Sequence, residues 1–332
     1  MRNYLFDRNI LRSATFDLPL VCIGNLAVGG TGKTPMVEYI VRILKEKRNV
    51  ATLSRGYKRK SKGFIIANEN TTTFEIGDEP MQIHQKFPDV TVAVAEERVM
   101  GIPQILNDKP GTEVIILDDA FQHREVKAGL NILLTDYNHL YTEDFLLPTG
   151  YLRDTKSSSR RADIVIVTKS KSNLTEIEKE QIIRQINPLH SQKVYFTKIV
   201  HRNPYQLFSK EKIVLNKKIE VLLISGIANP KPLEDFLNES VAAFKIMRFK
   251  DHYNYHTDDI RRIGEQFSKI ENPDKIILTT EKDAVRLLKF TNEMGNLPVY
   301  VLPMEHSFLF DQQIEFEKSI FQFVDNFKPV AS

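Results

Sequence analysis

Lys33 and Thr34 close a glycine-rich stretch, Gly29-Gly30-Thr31-Gly32, that itself follows the apolar run Leu20-Val21-Cys22-Ile23. These residue types in this order suit one task, the holding of a polyphosphate. Glycines at 29, 30 and 32 let backbone N–H groups close around phosphate oxygens. A helix beginning near Lys33 adds the positive end of its dipole. The Lys33 ammonium reaches β- and γ-phosphates, and the Thr34 hydroxyl ligates Mg²⁺. Ala27 stands where the common G-x-x-x-x-G-K-[ST] pattern has its first glycine, and Ala27, Val28 and Thr31 complete the expected nucleotide-binding stretch. A glycine turn that binds nothing is the alternative, but the strand, glycines, Lys-Thr pair and helix all fall in order.

A phosphate loop of this kind needs an acidic partner at the end of a neighbouring strand. Val114-Ile115-Ile116-Leu117-Asp118-Asp119 supplies four apolar residues and then two carboxylates. In open α/β sheets the carboxyl edge is where ligands gather, and an Asp there holds Mg²⁺ in related nucleotide-binding folds. Adjacent Asp residues point in different directions, so one is expected to address the metal and the other the loop or Arg124. Asp118 and Asp119 are therefore candidate metal residues with Thr34. A solvated turn is the alternative reading of such a pair.

The elements that position these groups follow from hydrophobic period. Short apolar runs at 18–23, 90–95, 113–117, 131–134 and 163–168 read as buried strands, with helical patterns at 35–47, 80–86 and 175–186 between them. A second series has strands at 221–225, 244–247, 275–279 and 299–302 and helices at 232–238, 258–269, 281–289 and 312–327. Alternation of this kind implies a P-loop NTPase-like parallel sheet flanked by helices, joined to a smaller α/β domain. The expected boundaries are 1–197, a linker over 198–216, and 217–332, with the last helix free to pack back on the first domain.

Composition narrows the class further. The 332 residues carry 46 Lys+Arg against 43 Asp+Glu, a formal charge of +3, which argues against a dedicated nucleic-acid binder. A single cysteine, Cys22, precludes an intramolecular disulfide and points to a reducing, cytosolic setting. No apolar run is long enough to span a bilayer, and no secretory signal opens the chain. Nothing in the sequence calls for an obligate protein partner.

The words around these motifs resemble the tetraacyldisaccharide 4'-kinase (lipid A 4'-kinase) family. The resemblance rests on Gly24-Asn25-Leu26 before the phosphate loop, Ser54-Arg55-Gly56-Tyr57, Gly77-Asp78-Glu79-Pro80, Asp118-Asp119-Ala120-Phe121-Gln122-His123 and Thr280-Glu281-Lys282-Asp283-Ala284-Val285, in family order. Even Ala27 fits, because the loop of this family usually lacks that first glycine. The resemblance implies transfer of the ATP γ-phosphate to the 4'-hydroxyl of an acylated glucosamine disaccharide 1-phosphate, with Mg²⁺, forming the lipid A precursor at the cytoplasmic face of a Gram-negative inner membrane. It also implies two α/β/α domains with a narrow linker.

The same resemblance suggests residue roles. Asp78 looks like the base that helps deliver the acceptor oxygen, or else it caps the helix that follows. His252, in Phe249-Lys250-Asp251-His252-Tyr253, looks like its partner, completed by domain closure; a surface histidine is the alternative. Gln122 and His123 flank the acidic pair, with His123 a candidate for ordering the metal site. Asp154 stands where the family usually has Glu in Leu-Arg-Glu-Pro, one methylene shorter and without the proline, so a metal contact there becomes water-mediated. Arg98 either neutralises the transferring phosphoryl or forms an ordinary surface ion pair. Arg55 and the run Lys58-Arg59-Lys60-Ser61-Lys62 meet the substrate 1-phosphate or anionic headgroups, or form a solvated face. Tyr4, Leu5, Phe6, Ile10 and Leu11 read as a short amphipathic helix for a membrane surface. A P-loop kinase for a soluble sugar is the nearest rival. A GTPase switch is a more distant one, because Val167-Thr168-Lys169-Ser170 lacks the Asn and Asp of a guanine-reading strand end.

Overall fold

The computed structural model describes residues 2–227 and 229–328. Its strands, in chain order, are β1 (Leu20–Asn25), β2 (Val50–Ser54), β3 (Ile65–Ile66), β4 (Thr91–Val94), β5 (Val114–Asp118), β6 (Leu130–Asp136), β7 (Ile164–Thr168) and β8 (Lys193–His201). They continue as β9 (Tyr205–Gln206), β10 (Glu220–Ser225), β11 (Ala243–Arg248), β12 (Lys275–Thr280), β13 (Val299–Leu302) and β14 (Met304–Phe308). Nine of them form one sheet in the order β14-β8-β7-β6-β1-β5-β2-β4-β3, and five form another in the order β11-β10-β12-β13-β9.

β1 lies at the centre of the large sheet, parallel to β5 on one side and β6 on the other, with Ile23 opposite Asp118. β1 and β5 are buried along their whole length because helices cover both faces, and each strand feeds side chains alternately to the two layers. Val21 and Ile23 pack with Met36, Val37, Ile40 and Leu44 of the helix Lys33–Lys45. Leu20 and Cys22 face the other way, into a layer with Ile102 and Ile105 of the helix Arg98–Asp108. Burial pushes the Cys22 thiol up to about 12, so it behaves as a small apolar residue.

The chain divides into two compact units, one of residues up to Val200 with those from Glu305 onward, the other His201–Met304. This moves two expected boundaries. The second unit ends at Met304 rather than at the end of the chain. The helix Gln313–Asp325 buries Phe316, Ile320 and Val324 among Val21, Tyr39 and Tyr195, contacts worth about 1.5–3 kcal/mol for each large side chain. The stretch 198–216 is not a free linker either. β8 runs through to His201, and β9 pairs antiparallel with β13, because backbone pairing needs no alternating side-chain pattern.

Several elements of the first unit lie outside the expected pattern, among them β2, β8, β14 and the helix Arg98–Asp108. β2 reads Val-Ala-Thr-Leu-Ser, too short and mixed to stand out, yet every residue of it is buried. β8 mixes lysines with apolar residues because its second half is only half-buried. The helix Arg98–Asp108 contains Pro103, which breaks a helical reading although the chain continues through it.

Candidate active site

The phosphate loop leaves β1 and turns into the helix Lys33–Lys45. Gly32, at the cap, adopts φ 83° and ψ 24°, the left-handed region, and Gly29 adopts φ 108°. No neighbouring atom lies within 4 Å of where a Cβ would stand on Gly29 or Gly30, so the outer wall of the loop is open. At the helix start the amides of Lys33 and Thr34 have no intrahelical acceptor and point out of the helix end. The Val28 N–H donates to Tyr151 O at 2.8 Å, and Ala27 bridges to Leu152, so this half of the stretch is tied to the chain at 151–152.

Around Lys33 lies a polar knot. Its Nζ is 3.2 Å from Asn25 Oδ1 and 3.6 Å from Asp119 Oδ1. Arg153 donates to both partners, through Nη2 to Asn25 Oδ1 at 2.7 Å and through Nη1 to Asp119 Oδ2 at 3.0 Å. Gln122 Nε2 donates to Asn25 O at 2.7 Å, fixing the strand end from below the acidic pair. Asp119 itself sits at φ 47°, in the left-handed region that aspartate enters more readily than most residues.

The two adjacent carboxylates divide as their opposite directions require. Asp119 is ionised: burial pushes its pKa up, but the Arg153 hydrogen bonds and the Lys33 charge outweigh burial and leave it below the usual range. Asp118 is buried, and burial, reinforced by the Asp119 charge, outweighs the Lys33 and Arg98 charges and lifts it to about 7. Its Oδ1 has no hydrogen-bond partner among the described residues. Arg124, expected as a possible partner of the pair, turns instead to Asp7 at 2.7 Å and to Asn3 O at 2.8 Å.

The other strand ends complete one edge. Arg98 begins its helix just past β4 and is 2% exposed, which excludes the surface ion pair. Its Nη1 donates to Ala95 O at 2.7 Å and Glu96 O at 3.2 Å, while Nε and Nη2 are buried without partners among the described residues. Burial lowers Arg98 to about 10 against the opposing pull of Asp118 and Asp119, so the guanidinium stays charged. Arg55, just beyond β2, lies within electrostatic reach of Arg98 and of His123. Burial, with the Arg98 charge, holds His123 down to about 4 and hence neutral. Asp78, 4% exposed, opens the helix Asp78–Lys86 after Gly77, whose φ is 89°. A Cβ on Gly77 would stand 2.9 Å from Tyr57 O, so the Arg55–Tyr57 turn lies directly against the turn that presents Asp78.

A family model described as "Tetraacyldisaccharide-1-P 4'-kinase" matches residues 1–324. The chain belongs to that family. A curated tetraacyldisaccharide 4'-kinase of Flavobacterium johnsoniae is 46% identical, covering 99% of this chain and 94% of its own. Its counterpart in Phocaeicola vulgatus is 44% identical over 98% of this chain and 91% of its own. Among solved structures, the Aquifex aeolicus enzyme crystallised in complex with ATP aligns with a TM-score of 0.72 and 29% identity, covering 97% of this chain and 94% of that one. The chain is thus an ATP-using kinase, a phosphotransferase with an alcohol group as acceptor.

The remaining expected residues have partners of their own. Asp154 accepts from Asn3 Nδ2 at 2.6 Å, from its neighbour Thr155 N at 2.8 Å and from Arg161 at 3.2 Å. Its carboxylate is used to hold the N-terminal helix Arg2–Asp7, and the preceding Arg153 reaches Asp119 of the acidic pair in its place. Within the run 58–62, Arg59 is committed to Glu96 at 2.6 Å, while Lys58 and Lys60 lie over the Tyr57 and Phe74 rings. In the second unit His252 adopts φ 60°, with Lys282 Nζ 3.2 Å from Nε2 and Arg286 Nη2 3.0 Å from Nδ1. Lys282 also pairs with Asp251 at 2.8 Å, so the Asp-His and Thr-Glu-Lys-Asp motifs meet in one cluster. The sequence reading gave no role to Asn25 or Arg153, nor to Thr168 and His306 beneath the loop. Asn25 and Arg153 lie inside the phosphate-loop and Leu-Arg motifs and Thr168 in the strand end at 167–170, whereas His306 has no local signal.

The Asp118 environment sets a stability-pH relation. The folded chain keeps a proton on Asp118 up to about pH 7, whereas the unfolded chain releases it near pH 4, so stability falls as the pH rises through that window. Without Mg²⁺ or nucleotide, Asp118→Asn should remove most of that fall, on the order of 2–4 kcal/mol. Urea midpoints at pH 5 and pH 8 check it, and parallel curves for both proteins would contradict the assignment.

Proposed function

We propose that the chain transfers the γ-phosphoryl group of ATP to the 4'-hydroxyl of a tetraacylated disaccharide 1-phosphate, the step that yields the bis-phosphorylated lipid A precursor. What carries this reading is the Lys33–Asp119 pair at 3.6 Å beside an open glycine loop, in a chain whose relatives at 44% and 46% identity are named for this reaction. In the transfer, a bond forms between the sugar 4'-oxygen and the γ-phosphorus while the bond to the β-phosphate oxygen breaks, and the hydroxyl proton leaves to a base. Asp78 is assigned that base. Its burial at a helix start, beside the Arg55–Tyr57 turn, supports the assignment. His252 is assigned as the partner that holds and passes on the proton, a role that rests on the Asp251-His252 match to the family motif. Lys33 and the loop amides hold the β- and γ-phosphates. Arg98, with buried N–H groups unclaimed among the described residues, suits an anionic phosphoryl oxygen.

The acidic pair fits Mg²⁺. Asp118 Oδ1 is a buried oxygen that no described group satisfies, and no cluster of three metal-binding side chains exists among the described residues. Mg²⁺ is commonly held by one or two carboxylates together with substrate phosphates and water rather than by an all-protein cage. Asp118 and Thr34 would hold it, Asp119 being occupied by Lys33 and Arg153. Bound there, the ion neutralises charge on the nucleotide phosphates.

The lipid substrate implies work at a bilayer surface. Tyr4, Ile10 and Leu11 are exposed beside Arg2, Arg8 and Arg12, and we assign them contact with an anionic membrane. Phe6, expected on that surface, is buried, with the Arg124 guanidinium 5.1 Å from its ring. No helix among the described residues is long and apolar enough to cross a membrane.

Incubation with ATP, Mg²⁺ and the 1-phosphorylated disaccharide lipid should give the 4'-phosphorylated product by mass spectrometry; label entering only a soluble sugar would favour the rival acceptor. Asp78→Asn should lower kcat by about 10²–10⁴-fold with ATP affinity little changed. An equal loss in ATP binding would make Asp78 structural or metal-linked. Replacing Tyr4, Ile10 and Leu11 together by Ser should weaken sedimentation with anionic vesicles several-fold while activity on detergent-dispersed substrate persists. This variant is preferable to truncation, which would strip Phe6 from the core.

A further inference from the structure

Beneath the phosphate loop, on the side away from the open wall, two carbonyls are caught by side chains from distant strands. Thr168, the last residue of β7, donates from Oγ1 to Thr31 O at 2.8 Å. His306, in β14, donates from Nε2 to Gly32 O at 2.8 Å. With that proton on Nε2, Nδ1 is an acceptor, and it takes the hydroxyl of Thr197 in β8 at 2.9 Å. The imidazole is 3% exposed and its other neighbour is the loop itself: a Cβ on Gly32 would stand 3.1 Å from both Cε1 and Nε2. Both ring nitrogens are thus satisfied by a neutral ring in one tautomer.

The consequence follows from the planarity of the peptide bond. In a trans peptide the C=O of one residue and the N–H of the next point in opposite directions. Pulling Thr31 O toward the sheet turns the Gly32 N–H outward, and pulling Gly32 O toward His306 turns the Lys33 N–H outward. Those two amides begin the helix whose end the phosphates would meet. Gly32 O also accepts the first helical bond, from Met36 N at 3.2 Å, so the same atom joins the helix start to the imidazole.

We propose that His306 is a positioning residue for ATP, acting through the Gly32 carbonyl to aim the loop amides, with Thr168 doing the same through Thr31 and Thr197 fixing the tautomer. This rests on the reading of the loop as the ATP site. Burial holds the His306 pKa down to about 4, opposed by the Gly32 hydrogen bond, so the ring is neutral at ordinary pH and the contact does not depend on charge.

The test compares two amides at one position. In His306→Gln the side-chain amide reaches the place of Nε2 and can still donate to Gly32 O. In His306→Asn it reaches only the place of Nδ1, keeping Thr197 and losing Gly32. ATP binding by calorimetry and steady-state kinetics should show the Asn variant about 5–20-fold weaker for ATP, with a raised KM and a nearly unchanged kcat, and the Gln variant within about 3-fold of the parent. Thr168→Val, close in shape, should weaken ATP about 3–10-fold and serves if the Asn variant does not fold. Equal losses in the Gln and Asn variants that track a fall in Tm would reduce His306 to packing, and parental ATP affinity in the Asn and Val variants would overturn the proposal outright. An unsubstituted protein that fails to bind ATP would sink the ATP site itself, a separate outcome.

Discussion

Every peptide that turns an N–H toward a phosphate turns a carbonyl into the protein, and a buried carbonyl without a donor costs about 1–3 kcal/mol. The phosphate loop is shaped by that constraint. Its outward face is amides and empty space around Gly29 and Gly30; its inward face is carbonyls met by Thr168 and His306. The donors come from β7 and β14, and β14 is at the edge of the large sheet, so the loop depends on the strand that the chain adds last. This gives the boundary at Glu305 a physical meaning. Residues beyond it return to the first unit not only to bury Phe316, Ile320 and Val324 but also to finish the floor of the site.

Electrostatics along the same edge follow from which charges have partners. Lys33, Asp119, Arg153 and the Oδ1 of Asn25 pair with one another, and Asp119 is accordingly held ionised. Among the described residues Asp118 and Arg98, like Asn25 Nδ2 and Thr31 Oγ1, are left with buried polar atoms unmet. A carboxylate lacking a donor invites a cation, and a guanidinium lacking an acceptor invites an anion. A metal-bound polyphosphate brings both, which is why the two can be buried near each other without a direct pair. The site is poised for its ligands rather than complete without them.

Much of this was legible in the chain itself. The order of β1, glycine turn and helix, the apolar run ending in Asp118-Asp119, and the alternation of strands and helices are local patterns, and each forms where its period places it. Gly32 had to be glycine because the cap requires a left-handed backbone with an imidazole packed against it, and the sequence already marks such a position. β2 and the helix Arg98–Asp108 escaped because mixed residues and an internal proline hide their period, although tertiary burial overrides both.

What stayed hidden was pairing at long range. The roles of Asp154 and Arg153 depend on which of the two neighbouring side chains faces the acidic pair, and the N-terminal helix takes Asp154. His306 lies 274 positions from the carbonyl it holds, with no motif around it. Residue type and spacing determined the chemistry that could occur, since those are properties of neighbours along the chain. Only the packed sheet decided which buried donors and acceptors were satisfied by protein and which were left for a ligand, because that balance is struck between atoms brought together from opposite ends of the sequence.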